Sequence, residues 1–309
     1  MIRYVAGRVL AFVPVLWVVA TLTFALLRFL PGGPFDKEKT LPPEILRNLE
    51  RRYALDGTLA EQYVDYLGRL VRGDLGPSYK YVGRGVSDIL ADALPVSIEL
   101  GLLALVIALG GGISLGLAAG ARHGSALDRS IGFATLIGVS APSFVIGAGL
   151  ILGVALGLDW LPAGLWEGPA YAILPALTLA ALPLAYIAQL TRAQVVAVMD
   201  QDYVRTARAK GVTEGRVRRH HVLRNALLAV LTYFGPLLAI LLTGSFVVEK
   251  IYAIPGMGRF FVTAVTNRDY PLVLGVTLVY ATLVLVSNLI VDLLYAWLDP
   301  RIRVSGDER

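Results

Sequence analysis

The sequence contains no cysteine, which excludes disulfides, thiolate nucleophiles and thiolate metal sites. Charge is scarce: 17% of the 309 residues are Asp, Glu, Lys or Arg, against about 25% in soluble globular chains. Histidine is nearly absent. His123, His220 and His221 are the three present, two of them adjacent, and no carboxylate pair joins them at a ligand spacing, so no metal site is expected. No glycine loop followed by lysine is found, so the chain should not bind ATP through that motif. What the chain has in abundance is apolar surface, with 56% hydrophobic residues and a mean hydropathy of +0.66. That balance indicates a membrane protein.

A bilayer core about 30 Å thick needs about 20 apolar residues in a helix. Six stretches qualify: 9–30, 96–120, 130–157, 172–193, 226–248 and 272–298. The first follows Arg3 and Arg8 and ends in Arg28-Phe29-Leu30-Pro31, without the small-residue site of a cleaved signal, so a retained transmembrane helix is expected. The fourth contains Pro175 and Pro183, tolerable where neighbouring helices satisfy the freed backbone groups.

Orientation follows from lysine and arginine in short loops. The N-terminal tip, 121–129, 192–225 and the tail after 298 hold 15 of the 28 such residues, whereas the opposite loops 158–171 and 249–271 hold three. Both termini are therefore expected in the cytoplasm. Trp160, Trp166 and Tyr171 then fall at the outer interface, with Tyr295 and Trp297 at the inner one.

The chain divides into a first transmembrane helix (1–30), an extracytoplasmic helical insertion (31–94) and a five-helix core (95–309) carrying a cytoplasmic segment, 194–225. In the insertion, Pro42-Pro43-Glu44 starts a helix that Asp56-Gly57 breaks. Thr58-Leu59-Ala60-Glu61 reads as a capping box opening a second helix with Tyr63, Tyr66, Leu67 and Leu70 on one face. A third short helix is expected over 86–94, ending at Pro95.

Two spans carry glycine at every fourth position: Gly112, Gly116, Gly120 and Gly149, Gly153, Gly157. This spacing lets a second backbone approach closely, within the chain or in a partner, although glycine is also simply common in membrane helices. Charges inside spans are functional candidates. Glu99 would either line a polar path or bond to another helix, Asp292 is read as structural, and Arg28 can snorkel. Ser140 and Ser143 lack a base within reach, which argues against a membrane hydrolase.

The densest charge lies at 205–221, Arg-Thr-Ala-Arg-Ala-Lys-Gly-Val-Thr-Glu-Gly-Arg-Val-Arg-Arg-His-His. Three readings compete: a solvated loop, a nucleic-acid or lipid patch, and a docking element for a protein. From Val196 on, Met199, Tyr203 and Ala207 would form one helix face and Gln201, Arg205 and Arg208 another. Gly211 can end that helix in a left-handed cap, and Thr213 can start the next. A solvated loop or a lipid-binding segment needs no such punctuation, and nucleic acid would want interleaved aromatics where only Tyr203 stands.

Here the chain resembles the integral-membrane permease subunits of ABC importers. That family carries Glu-Ala-Ala, three residues, Gly, nine residues, Ile-x-Leu-Pro. The matching positions hold Arg205, Thr206 and Ala207, then Gly211, then His221, Val222, Leu223 and Arg224, so the alanine, glycine and leucine match while the glutamate and proline do not. Leu30-Pro31-Gly32-Gly33-Pro34 and Gly73-Asp74-Leu75-Gly76-Pro77-Ser78 resemble the peptide/nickel class. So do Glu249, Tyr252, Pro255-Gly256-Met257-Gly258, Arg268-Asp269-Tyr270-Pro271, Asn288, Asp292, Tyr295 and Asp299-Pro300-Arg301. Phe35 through Glu44 and Trp160-Leu161-Pro162 look closest to the B-type permeases of oligopeptide importers.

The resemblance implies an all-α membrane protein of the type I importer permease fold, with six transmembrane helices in the bacterial inner membrane. It implies a homologous C-type permease as partner, two cytoplasmic ABC ATPases that bind the ATP and Mg, an extracytoplasmic solute-binding protein, and peptide as substrate. This chain would bind no cofactor, catalyse no reaction and contact membrane lipids but no nucleic acid. Arg205, Thr206, Ala207, Gly211, Val212, Thr213, Glu214, Gly215 and Leu223 would form the ATPase-coupling segment. Glu99, Pro255, Gly256, Gly258, Arg268 and Asp269 would lie on the translocation path or outer gate. The competing readings are a stand-alone secondary carrier or channel, and an importer for dipeptides, nickel or another small solute.

Overall fold

The computed structural model describes residues 2–35, 42–217 and 223–298. Among these the fold is all-helical, with no strand beyond an isolated bridge between Pro77 and Gly85. Five helices are long and apolar enough to cross a bilayer, and a bent pair counts as the sixth when taken as one span. The chain divides into two compact units: Met1–Ser97 with Pro255–Val286, and Ile98–Ile254 with Ser287–Arg309.

In the first unit, α1 (Ile2–Phe29) is the first span. Two amphipathic helices follow, α2 (Pro43–Arg52) and α3 (Leu59–Val71). The predicted capping box is present: the Thr58 hydroxyl accepts the Glu61 amide at 3.3 Å and the Glu61 carboxylate accepts the Thr58 amide at 2.8 Å. Phe24 of α1 packs on Tyr63 and Tyr66 of α3, and the Tyr63 and Thr21 hydroxyls share a 2.7 Å hydrogen bond. The helix expected over 86–94 is not separate. It is the first part of α4 (Val86–Ala121), which continues through Pro95. Proline there removes only the bond to the Ala91 carbonyl, and both residues lie on the exposed face. The unit's core joins Val86, Ile89, Leu90 and Ala93 to α12 (Met257–Asn267) and the start of α13 (Tyr270–Leu298).

The second unit contains the remainder of α4 and of α13. The third predicted span, 130–157, is not one straight helix. It is split into α5 (Ala126–Ser140) and α6 (Ser143–Leu150), the latter running on as a π-helix over Ile151–Gly157, with a bend of 112° between them. Pro142 forces this: it cannot donate, and it drives Ala141 to φ −80°, ψ 128°, which ends α5. The fourth span is a single helix, α7 (Pro169–Met199), with Pro175 and Pro183 both buried; it packs against α5, α6 and α10 (Leu223–Leu242). The fifth span is interrupted at Thr243–Ser245 before α11 (Phe246–Ile251).

The first glycine stripe packs as its spacing predicts. A Cβ on Gly116 would stand 2.6 Å from the Ala188 carbonyl oxygen, and one on Gly112 would stand 2.8 Å from that of Leu184, both on α7. The second stripe meets nothing within 4 Å at Gly149 and Gly153.

Candidate functional site

The basic segment forms α8 (Asp202–Ala209), a tight turn, and α9 (Glu214–Val217). One predicted feature is corrected. The helix from Val196 does not run to Ala209: α7 stops at Met199 and α8 starts anew at Asp202, so the faces read across that break are out of phase. The anchoring residue of α8 is Val204, fully buried, whereas Tyr203 is 43% exposed. Val204 joins Val195, Val198 and Val217 in a small core, with Leu117, Met199, Ala207 and Val212 packed around it.

The turn is closed on itself. Gly211 has φ +78°, as the left-handed cap requires. Its amide donates to the Arg208 carbonyl at 2.9 Å, and the Val212 amide reaches back to the Ala207 carbonyl at 3.1 Å. Ala207 and Val212, the two ends of that longer bond, both pack on the same core. Thr213 occupies the residue before α9, and its carbonyl accepts the amides of Arg216 and Val217. Arg208 Nε donates to Glu214 across the turn at 2.7 Å, tying the two helices together. Arg205 pairs loosely with Asp202 at 3.7 Å and is well exposed. The Thr206 hydroxyl donates back to the Asp202 carbonyl. Thr213, Glu214 and Gly215 are exposed, and Leu223 opens α10 half-buried. Arg218, Arg219, His220, His221 and Val222 lie outside the described residues, as do Asp299, Pro300 and Arg301. The arrangement is a rigid, polar-tipped knob on an apolar root, suited to fitting a complementary protein surface.

The residues assigned to the outer gate fall in two places. Glu99 is on the exposed face of α4 in the second unit. The others belong to the first unit. Pro255 is exposed, Gly256 is the N-cap of α12, and Gly258 is buried behind it. Arg268, at φ +57°, ends α12 and donates to the Gly33 carbonyl at 3.1 Å. Asp269 is fully buried. It accepts from the Ser78 hydroxyl, from the Tyr79 amide at 3.1 Å and from the Leu272 amide at the start of α13 at 3.4 Å. Asp269 therefore fastens the 73–79 loop to a helix N-terminus. The sequence reading missed Ser78 and Tyr79 as its partners; Asp-Tyr-Pro ahead of an apolar run is an N-cap signal that marks the acceptor but not the donors.

In the second unit a cavity of about 460 Å³ lies between two helix interruptions, the α5–α6 break and the Gly244 gap after α10, and the Pro183 turn of the continuous α7. Ser140, Ser143, Thr178, Tyr233 and Ser245 supply its polar groups, and aliphatic side chains most of the rest. Among the described residues no acid or base lines it. Broken spans around a cavity that carries a few hydroxyl groups are what a membrane path for a polar solute can use. No cluster of three His, Asp or Glu able to hold a metal occurs among the described residues.

Comparison with known proteins gives this architecture a family. Residues 112–304 match the model of the binding-protein-dependent transport system inner membrane component. A dipeptide transport system permease protein of Bacillus subtilis is 43% identical over 98% of this chain and 99% of its own length. Oligopeptide transport system permease proteins of Haemophilus influenzae and Escherichia coli K12 are 42% and 41% identical, over 98% of this chain and their full lengths. The chain belongs to the family of binding-protein-dependent transport system inner membrane components, the ABC-transporter permeases, and is a multi-pass protein of the bacterial plasma membrane.

Proposed function

We propose that this chain forms half of the translocation path of an ATP-driven peptide importer and couples that path to ATPases bound on its cytoplasmic side. The observation carrying this reading is the closed α8–α9 turn, a rigid knob whose exposed tip has the chemistry of a protein contact. The relatives, named as dipeptide and oligopeptide permeases over full length, support peptide as the solute class. The distribution of arginine and lysine supports a cytoplasmic location for the knob and for both termini.

A second, homologous permease completes the path, two ATPases bind ATP and Mg, and an extracytoplasmic binding protein delivers the peptide. This subunit binds no cofactor and performs no catalysis. Arg205, Thr206, Gly211, Thr213, Glu214 and Gly215 present the knob to an ATPase groove, with Ala207 and Val212 holding it from behind and Leu223 starting the helix that follows. When ATP closes the ATPases, the knob is displaced. Because Val204 and Val217 root it on Val195 and Val198, the end of α7 moves with it. α7 also lines the 460 Å³ cavity through Thr178 and Pro183, so displacement at one end reaches the path. On the outer side, Glu99, Pro255, Gly256, Gly258, Arg268 and Asp269 serve the path and its gate.

The lack of cysteine makes the test clean. Thr213→Cys should crosslink to an ATPase subunit in the assembled transporter, whereas Val82→Cys, also exposed but on the extracytoplasmic module, should not. The reverse pattern, or peptide uptake by vesicles containing this chain without ATPases, would overturn the reading.

A further inference from the structure

In the first unit, α1 and α3 enclose two adjoining spaces that share Phe24 and Arg28 as a common wall. One is a groove of about 240 Å³ with an almost wholly apolar lining, including Ala25, Phe29, Leu59 and Tyr63. The other is a polar cavity of about 80 Å³ reached by Arg28, Arg52, Arg69, Gln62, Tyr66 and Tyr79. A water needs about 10–15 Å³ on this measure, so the cavity accommodates a group of phosphate size.

Its charges are not balanced internally. Arg69 pairs with Asp65 at 2.9 Å, and the Asp74 carboxylate accepts the Gly76 amide at 2.8 Å. Arg28 and Arg52 have no carboxylate partner among the described residues. The Arg28 guanidinium lies over the faces of Phe24 and Tyr270, at 5.1 and 5.3 Å from the ring centroids. Such stacking uses the flat face, and of the in-plane N–H donors one is directed to the Tyr79 hydroxyl, leaving the others for a ligand.

Two buried polar atoms at the cavity lack any partner: the Tyr66 hydroxyl and Gln62 Oε1. The Gln62 amide is fixed, because its Nε2 donates to the Leu55 and Gly57 carbonyls at 3.0 and 2.8 Å, so Oε1 is held as a buried, unpartnered acceptor in the wall. Burial pushes the Tyr66 hydroxyl up to about 12, which keeps it an O–H donor at working pH. Orphaned buried groups are costly and call for a partner. The 25-residue span Val5–Phe29 ends one residue beyond Arg28, which sets this cavity at the level of the lipid headgroups.

We infer that this is a site for an anionic phospholipid with a hydroxyl-bearing headgroup, of the phosphatidylglycerol type. Its phosphate lies between Arg28, Arg52 and the Tyr66 hydroxyl, a headgroup hydroxyl donates to Gln62 Oε1, and an acyl chain follows the groove along Phe24, Phe29 and Leu59. A free phosphate would satisfy the cations but leave the groove empty. The assignment rests on the membrane placement of α1 and not on the identity of the transported solute.

The test uses the full-length chain with its partner subunits, stripped of lipid in mild detergent and titrated with short-chain phosphatidylglycerol, phosphatidylcholine of the same chain length, or inorganic phosphate, with bound molecules counted by native mass spectrometry. Wild type should bind phosphatidylglycerol at least about tenfold more tightly than either alternative, and Arg52→Gln should remove about tenfold of that affinity, as expected for one charge-assisted hydrogen bond. Tyr66→Phe keeps the ring packing and removes only the hydroxyl; it should weaken phosphatidylglycerol severalfold while the lipid-free unfolding midpoint does not fall, since an unpartnered buried hydroxyl is lost, and it decides the matter where Arg52→Gln does not fold. Equal binding of the two lipids, equal binding of inorganic phosphate, or full affinity in a folded Tyr66→Phe variant would overturn the site.

Discussion

The two glycine stripes have the same spacing and opposite fates. Gly112, Gly116 and Gly120 lie on a regular α-helix, and a Cβ at each would fall within 2.5–2.8 Å of an α7 atom. Gly149 and Gly153 meet nothing within 4 Å, and Gly157 approaches only the Leu152 carbonyl of its own helix, at 3.1 Å. The backbone explains part of the contrast. From Ile151 the helix is π-helical, so residues four apart no longer fall on one line. Small residues every fourth position therefore mark a close crossing only where the helix keeps its regular period. Gly211 adds a third case: it too has open space around it, yet its φ of +78° strongly favours glycine for backbone conformation.

Substitutions separate these cases. The largest effect is expected at Gly116→Ala. The new Cβ would lie 2.5 Å from the buried Thr191 Cβ and 2.6 Å from a backbone oxygen. Neither neighbour can turn away, so a loss of about 3 kcal/mol is expected, read as a lowered unfolding midpoint of the purified chain. Gly153→Ala should stay within about 0.5 kcal/mol in the same assay; equal losses at both positions would erase the distinction.

Gly211→Val comes next. A β-branched residue at positive φ costs about 1–2 kcal/mol, concentrated in the turn. ATP-driven uptake by the reconstituted transporter should fall steeply while the chain remains folded. Gly211→Asn, which tolerates that conformation, should retain most of the uptake. Arg208→Ala removes the exposed bridge to Glu214 and should cost no more than about 1 kcal/mol; a double-mutant cycle with Glu214→Ala measures the coupling. The smallest effect concerns Glu61. The hydrogen bonds from the Thr58 backbone and side chain hold its carboxyl below the usual glutamate range. Its contribution to α3 is thus present above the unfolded value of about 4.3 and disappears as pH falls through the lower folded value. Thr58→Ala, worth about 1 kcal/mol, should flatten that acid limb in thermal unfolding between pH 3 and 6.

Features written in local chemistry were legible in the sequence. The apolar runs located the spans, Thr58 and Glu61 announced the start of α3, and Gly211 and Thr213 marked where one helix stops and another begins. The misreadings have physical sources. Pro95 looks like a stop, but an exposed proline face lets α4 continue. Pro142 does break its helix, because the freed residue before it turns fully extended. The gap between α7 and α8 has neither glycine nor proline to announce it, which is why Val204 was not recognised as the buried root. The Ser78–Asp269 bond joins residues 191 positions apart, and no local pattern encodes such a pairing.

The closed turn also determines where this part of the chain can be compliant. Its backbone bonds, apolar root and Arg208–Glu214 bridge leave little slack between Val204 and Val217. The stretch at Asp200–Gln201 is different: no side chain caps the start of α8, and both residues are exposed. Under the proposed coupling, a load on the tip would act on α7 through that joint and the buried valines, so stiffness at residues 200–201 would set how much of each stroke α7 receives.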